Sequence, residues 1–272
     1  MSSRLRRKLL VVFTAVAAIS ALAASMASAA TPAPGFERFA GCPSATENPE
    51  VVECLYSIIK SGHFEMGNKD VPITNPITMT GGLNNTLGGF SANSQGGLKP
   101  VKQQVPGGVI GLTGLDWLVN FLSLEGLKLY AVTELVGQPQ VGEALTLPIR
   151  VHLINPVLGS KCYVGSASSP IVLNLTSGTT SPPPPNTPIS GTPPKFTANP
   201  ETEVLAFKEG VYVDNAFAAP GANGCVLTLF GFIPISINSL VNSTSGLPAP
   251  AGTNETVQAI DLELAPENRV YP

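Results

Sequence analysis

Apolar residues recur at every second position in six stretches of the chain, and this period is what most limits the folds open to it. Leu145, Leu147, Ile149, Val151 and Leu153 alternate with Thr146, Pro148, Arg150 and His152, and Ile260, Leu262 and Leu264 alternate with Asp261 and Glu263. Ile77 and Met79 do the same, as do Leu127, Leu129 and Ala131, then Ile171, Leu173 and Leu175, and finally Val211 and Val213. A side-chain period of two puts one apolar face on a strand and leaves the other face polar, which is the pattern of antiparallel sheets. The runs are short, and 27 glycines and 26 prolines in 272 residues supply frequent turns between them. The expectation is a mainly β protein, an antiparallel β-sandwich with one or two short capping helices. Residues 30–272 are read as a single elaborated domain. Pro148 lacks an N–H for a ladder, so its presence inside a run predicts an edge strand or a bulge.

Two helices are expected. Asn48 can cap, Pro49 suits a first turn and Gly62 a stop, with Val51, Cys54, Leu55, Ile58 and Ile59 on one stripe between them. A shorter helix from Leu115 to Leu122 would share Leu115, Leu118, Val119 and Leu122 on one face beside Trp117. Two segments break the pattern. Ser177 to Pro200, with Pro182 to Pro185 and Pro193-Pro194, predicts an extended polyproline-type surface loop, and Gly81 to Gly97 a flexible one. Asn84, Asn174, Asn242 and Asn254 each begin an N-x-[ST] triplet and read as turn chemistry.

The N-terminus has the three parts of a secretory signal peptide. Arg4, Arg6, Arg7 and Lys8 are followed by an uncharged stretch from Leu9 to Ala24 and then by Ala27-Ser28-Ala29, so residues 1–29 are expected to be removed by cleavage after Ala29 or Ala30. The arginine pair faintly resembles a twin-arginine signal, but the general route fits it better. Phe39-Ala40-Gly41-Cys42 looks like a lipoprotein box; Thr31 to Pro34 and Glu37-Arg38 intervene between it and the apolar stretch, which argues against lipidation. Without the leader, eleven basic residues face eighteen acidic ones, a net charge of −7 in place of −3. An acidic chain without a Lys/Arg stripe is not built for nucleic acid or anionic lipid. Later apolar runs are too short to span a bilayer, the longest being Val226 to Ile237, interrupted by Gly231 and Pro234. The expected location is secreted, extracellular or wall-associated.

Four cysteines in an exported chain predict two disulfides, and the spacing favours Cys42 with Cys54 and Cys162 with Cys225. The first would pin the N-terminal segment to the expected helix, and the second would tie two distant strands. No CxxC occurs, so zinc and thiol exchange are unsupported.

Catalytic motifs are scarce. There is no G-x-S-x-G elbow, and Gly108, Gly111 and Gly114 do not form a dinucleotide fingerprint. Only two histidines exist. His63, near Glu65 and Asp70, could act as a base or a metal ligand, but reads equally well as part of a strand with His63 and Glu65 outward. His152 beside Arg150 reads as solvent-exposed. Asp116, Glu125, Glu134 and Asp214 are the carboxylates from which a glycosidase pair could be drawn. No cofactor and no metal are expected, and no catalytic residue is singled out.

Phe39-Ala40-Gly41-Cys42-Pro43 and Gly159-Ser160-Lys161-Cys162-Tyr163-Val164-Gly165-Ser166, with Pro170-Ile171 after it, resemble a group of secreted actinobacterial proteins of unknown function. The resemblance covers most of the chain after the leader in general layout, and implies a bacterial origin but no catalytic motif or ligand. Three functional readings follow. The first is an exported non-catalytic envelope or extracellular protein, structural or binding, with a partner in that compartment. The second is a carboxylate-dependent hydrolase of wall or environmental polysaccharide. The third is a carrier of an apolar small molecule, which requires a lined cavity where a sandwich would have a filled core.

Overall fold

The computed structural model describes residues 30–84, 89–116, 123–142, 144–229 and 233–272. The expected leader, most of the Leu115–Leu122 helix and the middle of the Val226–Ile237 run lie outside the described residues. Among the described residues, strands hold 46% and helices 11%, and the sheets are antiparallel.

The first sheet contains β1 (Val51–Met66), β2 (Lys69–Ile73), β3 (Ile77–Asn84), β4 (Phe90–Ser91) and β5 (Gly97–Leu98). The second begins with β6 (Gln103–Gln104). Two short helices follow, α1 (Gly108–Thr113) and α2 (Leu124–Leu127). The second sheet then continues with β7 (Tyr130–Leu135), β8 (Gln140–Val141), β9 (Leu145–Ile154), β10 (Tyr163–Val164) and β11 (Ile171–Leu175). The chain returns to the first sheet with β12 (Lys195–Ala198) and β13 (Leu205–Asp214), and to the second with β14 (Ala222–Asn223). A hairpin of β15 (Val226–Leu229) and β16 (Ile233–Ser236), helix α3 (Asn238–Ser245), strand β17 (Glu255–Pro266) and helix α4 (Glu267–Val270) complete it. The first sheet runs β12-β13-β17-β1-β3-β4, with β2 also on β1 and β5 on β3. The second runs β14-β10-β9-β7-β6, with β11 and β8 on β9.

The sheets pack face to face as a sandwich. The alternation holds where it was strongest: along β9, Leu147, Ile149, Val151 and Leu153 are buried, and along β11, Ile171, Leu173 and Leu175. Asp214 on β13 ties the layers together by accepting hydrogen bonds from the Asn174 N–H on β11 at 2.6 Å and from the Ala216 N–H at 2.8 Å. Burial pushes its carboxyl above the usual range in spite of those two bonds.

The expected Asn48–Gly62 helix is instead the first part of β1. Leu55 belongs to the core between the sheets, whereas Val51 and Cys54 pack outward against Phe36, Phe39, Cys42, Ala265 and Val270. A strand buried on both faces has no clean alternation, and its apolar residues can fall at helical spacing by chance. Both expected disulfides are present, Cys42–Cys54 and Cys162–Cys225. The first therefore pins the N-terminal segment to a strand rather than a helix, and it occupies the sulfur that a lipoprotein box would modify. The C-terminus closes over the same cluster, where the Tyr271 hydroxyl donates to the Cys42 carbonyl at 2.9 Å. Nearby, burial raises the Glu263 carboxyl, but hydrogen bonds from Lys208 and Arg38 outweigh it and hold the group below its ordinary range.

Other expectations need correction. Pro148 lies in a central strand, not an edge or bulge: its carbonyl accepts from Val136 N–H at 3.0 Å, at the gap where β7 ends and β8 has not begun. The missing N–H thus falls where the ladder is already broken. Gly81 and Gly82 are mid-strand in β3, because Phe90 and Val51 lie where a Cβ would stand. The Pro-rich segment is largely exposed, but it folds back on itself through Thr179 and Ser190 and then supplies β12. Leu127 ends α2 and does not open β7. Asn254 is buried with three bonds, to Gly67 N–H, Phe217 carbonyl and Pro250 carbonyl, and Asn242 holds both polar atoms of Ala222. Both asparagines join segments distant in sequence, and Asn254 also closes the local turn back to Pro250.

Candidate functional site

Between the sheets the packing is incomplete. Between the first sheet, chiefly β1, β2 and β17 with Ile77 of β3 and Leu98 of β5, and the second, β7, β9 and β11 with Gln103 of β6, lies a partly open cavity of about 60 Å³, with Ile59, Phe64, Met66, Ile149, Val151 and Leu173 in its wall. A second cavity of about 40 Å³ lies toward α1 and α3, against Leu112, Val164, Val241 and Leu247. Met66, Val71, Ala131 and Val151 line both, so these four side chains separate the two spaces. A single water needs roughly 10–15 Å³, so both exceed an ordinary packing void. Beyond Ile260, an open groove of about 320 Å³ lies among Leu145, Phe207, Tyr212, Leu262 and Leu264. Apolar space therefore follows the inner row of β9, from Leu145 at the groove through Leu147 and Ile149 to Val151 and Leu153.

A bulge in β1 shapes this space. Its register with β17 slips by one between Ile59 and Ser61, so Leu55, Ser57 and Ile59 pair with Leu264, Leu262 and Ile260, but Gly62 and Phe64 pair with Gln258 and Thr256. One extra residue exchanges the faces of a strand. Inward positions are odd-numbered before the bulge and even-numbered after it, which is why Phe64 and Met66 reach the cavity. At the same point β1 changes its other neighbour from β3 to β2. The end beside the smaller cavity is covered by α1, framed by left-handed Gly107 and Gly114, and by α3, whose Thr244 hydroxyl bonds the Leu112 carbonyl.

Three polar side chains interrupt the wall of the larger cavity: Gln103, Thr133 and Gln258. Gln103 is engaged, its carbonyl accepting from the N–H groups of Thr74 and Asn75 and its amide donating to the Asn75 carbonyl. Gln258 is 4% exposed, and its Nε2 donates to Thr256 Oγ1 at 3.0 Å. Its Oε1 is buried without a partner. The amide orientation follows from the next bond along: Thr256 Oγ1 donates its only proton to the His63 carbonyl at 2.8 Å and can only accept from Gln258. At the smaller cavity, Ser245 Oγ is likewise buried and unpartnered.

The residues singled out for chemistry do not converge. Outward His63 sets Nε2 3.5 Å from Glu255 Oε1, while Glu65 lies directly across from both Asp70 and Glu255. His152 is not free in solvent: its ring stacks on Tyr163 at 4.3 Å and its Nδ1 lies 3.3 Å from Glu134 Oε1. Arg150 grips the other oxygen of Glu134 with two N–H groups, at 2.9 and 2.7 Å, and places its guanidinium 4.1 Å from the Tyr163 ring centre. Each Glu134 oxygen is thus committed. Glu125 pairs with Lys128, Asp214 holds backbone N–H groups, and Asp116 is exposed. Among the described residues, no three His, Cys, Asp or Glu side chains form a metal-ligating group, and no helix is long and apolar enough to cross a membrane.

Reasoning from sequence overlooked Gln258. It stands two residues before Ile260 in the inward row of β17, so a polar residue on an otherwise aliphatic face was the available signal. Comparison of the chain with protein-family models, with curated proteins and with solved structures returns no match.

Proposed function

We propose that the protein is an exported, non-catalytic binding protein that holds a small apolar molecule between its two sheets. The observation that carries this reading is the aliphatic cavity between β1, β17 and the β7–β9–β11 face, continued by a second cavity behind Met66. Met66 is unbranched and adaptable, so a change of rotamer is a low-cost way to join the two. Export is supported by the leader-like N-terminus and by two disulfides, which persist in oxidising compartments. Its resemblance to secreted actinobacterial proteins agrees with that compartment. The hydrolase reading has less support, because Asp116, Glu125, Glu134 and Asp214 sit on separate segments with separate surroundings.

A ligand that binds only the folded state stabilises it, by about 2.7 kcal/mol at a hundred times its dissociation constant. Toluene near its aqueous saturation is expected to raise the Tm of the secreted protein by several degrees in calorimetry. Ala131→Leu, which fills the wall shared by both cavities, should abolish the response while the protein stays folded. An unchanged wild-type Tm contradicts the proposal.

A further inference from the structure

Three apolar spaces lie in file between the sheets, and from their order we infer that the ligand is a single unbranched hydrocarbon chain, with a neutral polar end at the open groove and its tail directed inward toward α1 and α3. The inference rests on the binding reading above and names the shape and class of molecule that the same site takes. Three strands give the same order independently. Along β9 the groove lies at Leu145, the larger cavity at Leu147 to Val151, and the smaller one at Val151 and Leu153. On β17, Leu264, Leu262 and Ile260 line the groove and Gln258 the larger cavity. On β2, Ile73 lines the larger cavity, Val71 both cavities and Lys69 the smaller one. The file from Leu145 to Leu153 measures roughly 27 Å at about 3.4 Å per residue. A compact molecule occupies one of these spaces; a chain occupies them in sequence.

What divides the spaces favours a narrow skeleton. Ile59 and Ile260 are directly paired across β1 and β17, Ile59 lining the larger cavity and Ile260 the groove. Between the two cavities stand Met66, Val71, Ala131 and Val151. A methylene chain passes such partitions with the least displacement of close-packed neighbours, whereas a ring must push several aside together. The linings are equally selective in charge. Among the described residues that line the three spaces only Lys69 is charged, and its ammonium donates to the Gly111 carbonyl at 2.8 Å. An ionised end group drawn into the groove or the larger cavity would lose its hydration without gaining a counter-charge. A neutral polar end keeps its water at the open groove, where Ser177 and Tyr212 are the polar side chains of the lining. The opposite end, under α1 and α3, receives the tail.

The test titrates the intact disulfide-bonded protein with hexan-1-ol, octan-1-ol and decan-1-ol, and with 4-tert-butylcyclohexanol, a compact alcohol of the same carbon count as decan-1-ol. NMR of the Ile, Leu and Val methyl groups gives both the dissociation constants and the place of binding. Affinity is expected to rise about fourfold with each methylene buried, on the order of a hundredfold from hexan-1-ol to decan-1-ol. The Leu262 and Leu264 methyls should respond to every linear alcohol, and the Ile149 and Val151 methyls more strongly as the chain lengthens. The compact alcohol should bind at least tenfold more weakly than decan-1-ol. Leu173→Phe, which fills the larger cavity beside Leu147, should return decan-1-ol to the affinity of hexan-1-ol and leave hexan-1-ol unchanged; Leu147→Phe serves if that variant does not fold. Equal binding of decan-1-ol and the compact alcohol, or a gain with length that survives filling of the cavity, overturns the inference. So does binding of toluene without any linear alcohol, and in each of these cases the binding reading stands if toluene raises the Tm. Failure of toluene and of all four alcohols to bind overturns both.

Discussion

Gly62→Ala is expected to destabilise the protein by about 4 kcal/mol or more, placing it among the rare severe single substitutions. Gly62 follows the β1 bulge at φ +145°, and a Cβ there would stand 2.0 Å from the Val257 carbonyl oxygen and 3.0 Å from Gln258 Cα. Both are backbone of β17, the strand with which β1 pairs over nearly its whole length, so neither can move aside without breaking the ladder. The conformation itself is one that side chains rarely adopt. The effect should extend beyond stability. Loss of the bulge would return Phe64 and Met66 to the outer face and remove part of the cavity wall. Urea denaturation of the purified variant measures the first effect, and a midpoint within experimental error of wild type would show that the bulge does not depend on glycine.

Removing the Cys162–Cys225 disulfide is expected to cost nearly as much. The two cysteines are 63 residues apart, and chain entropy alone predicts a loss of about 4 kcal/mol; the 12-residue separation of Cys42 and Cys54 predicts about 3 kcal/mol. The packing context points the same way. Cys162 and Cys225 are fully buried in the main core and flank the β10–β14 pairing, beside Val164 of the smaller cavity. Cys42 and Cys54 belong to the separate outer cluster. Cys162→Ala/Cys225→Ala should therefore lower stability more than Cys42→Ala/Cys54→Ala and weaken toluene binding, while the second pair should leave ligand affinity nearly unchanged. Denaturant midpoints and ligand titrations on the two double variants check both orders. The reverse order would place the structural weight on the N-terminal clasp.

These two sites also show how far the amino-acid sequence can be read. Strands β9 and β11 were legible because each has one buried and one open face, so the period of two survives in their residues. The cysteine pairing was legible because chain separation limits the sensible combinations. β1 was not: with Leu55 buried on one face and Cys54 on the other, its apolar residues mimic a helical stripe, and Gly62 looks like a stop when it is the partner of a bulge. Gly81 and Gly82 mislead in the same way, since a glycine demanded by the Phe90 ring or by Val51 is indistinguishable in sequence from a glycine in a loop. The cavity is a property of two sheets meeting, with walls from strands more than a hundred residues apart. Only Gln258, polar in an aliphatic row, left a trace of it. The Glu134–Arg150–His152–Tyr163 cluster was hidden for a related reason: Tyr163 reaches His152 through β10, a strand too short to show any period.

A molecule held between the sheets in the protein's own setting should travel with the purified protein. Native mass spectrometry of the protein isolated from the cells that make it, or from their medium, reads this out. The expected spectrum contains a species heavier than the disulfide-bonded polypeptide by one small neutral molecule, reverting to the bare mass on gentle activation and missing from the Ala131→Leu variant. The bare polypeptide alone, under ionisation mild enough to keep an added apolar alcohol bound, would contradict it.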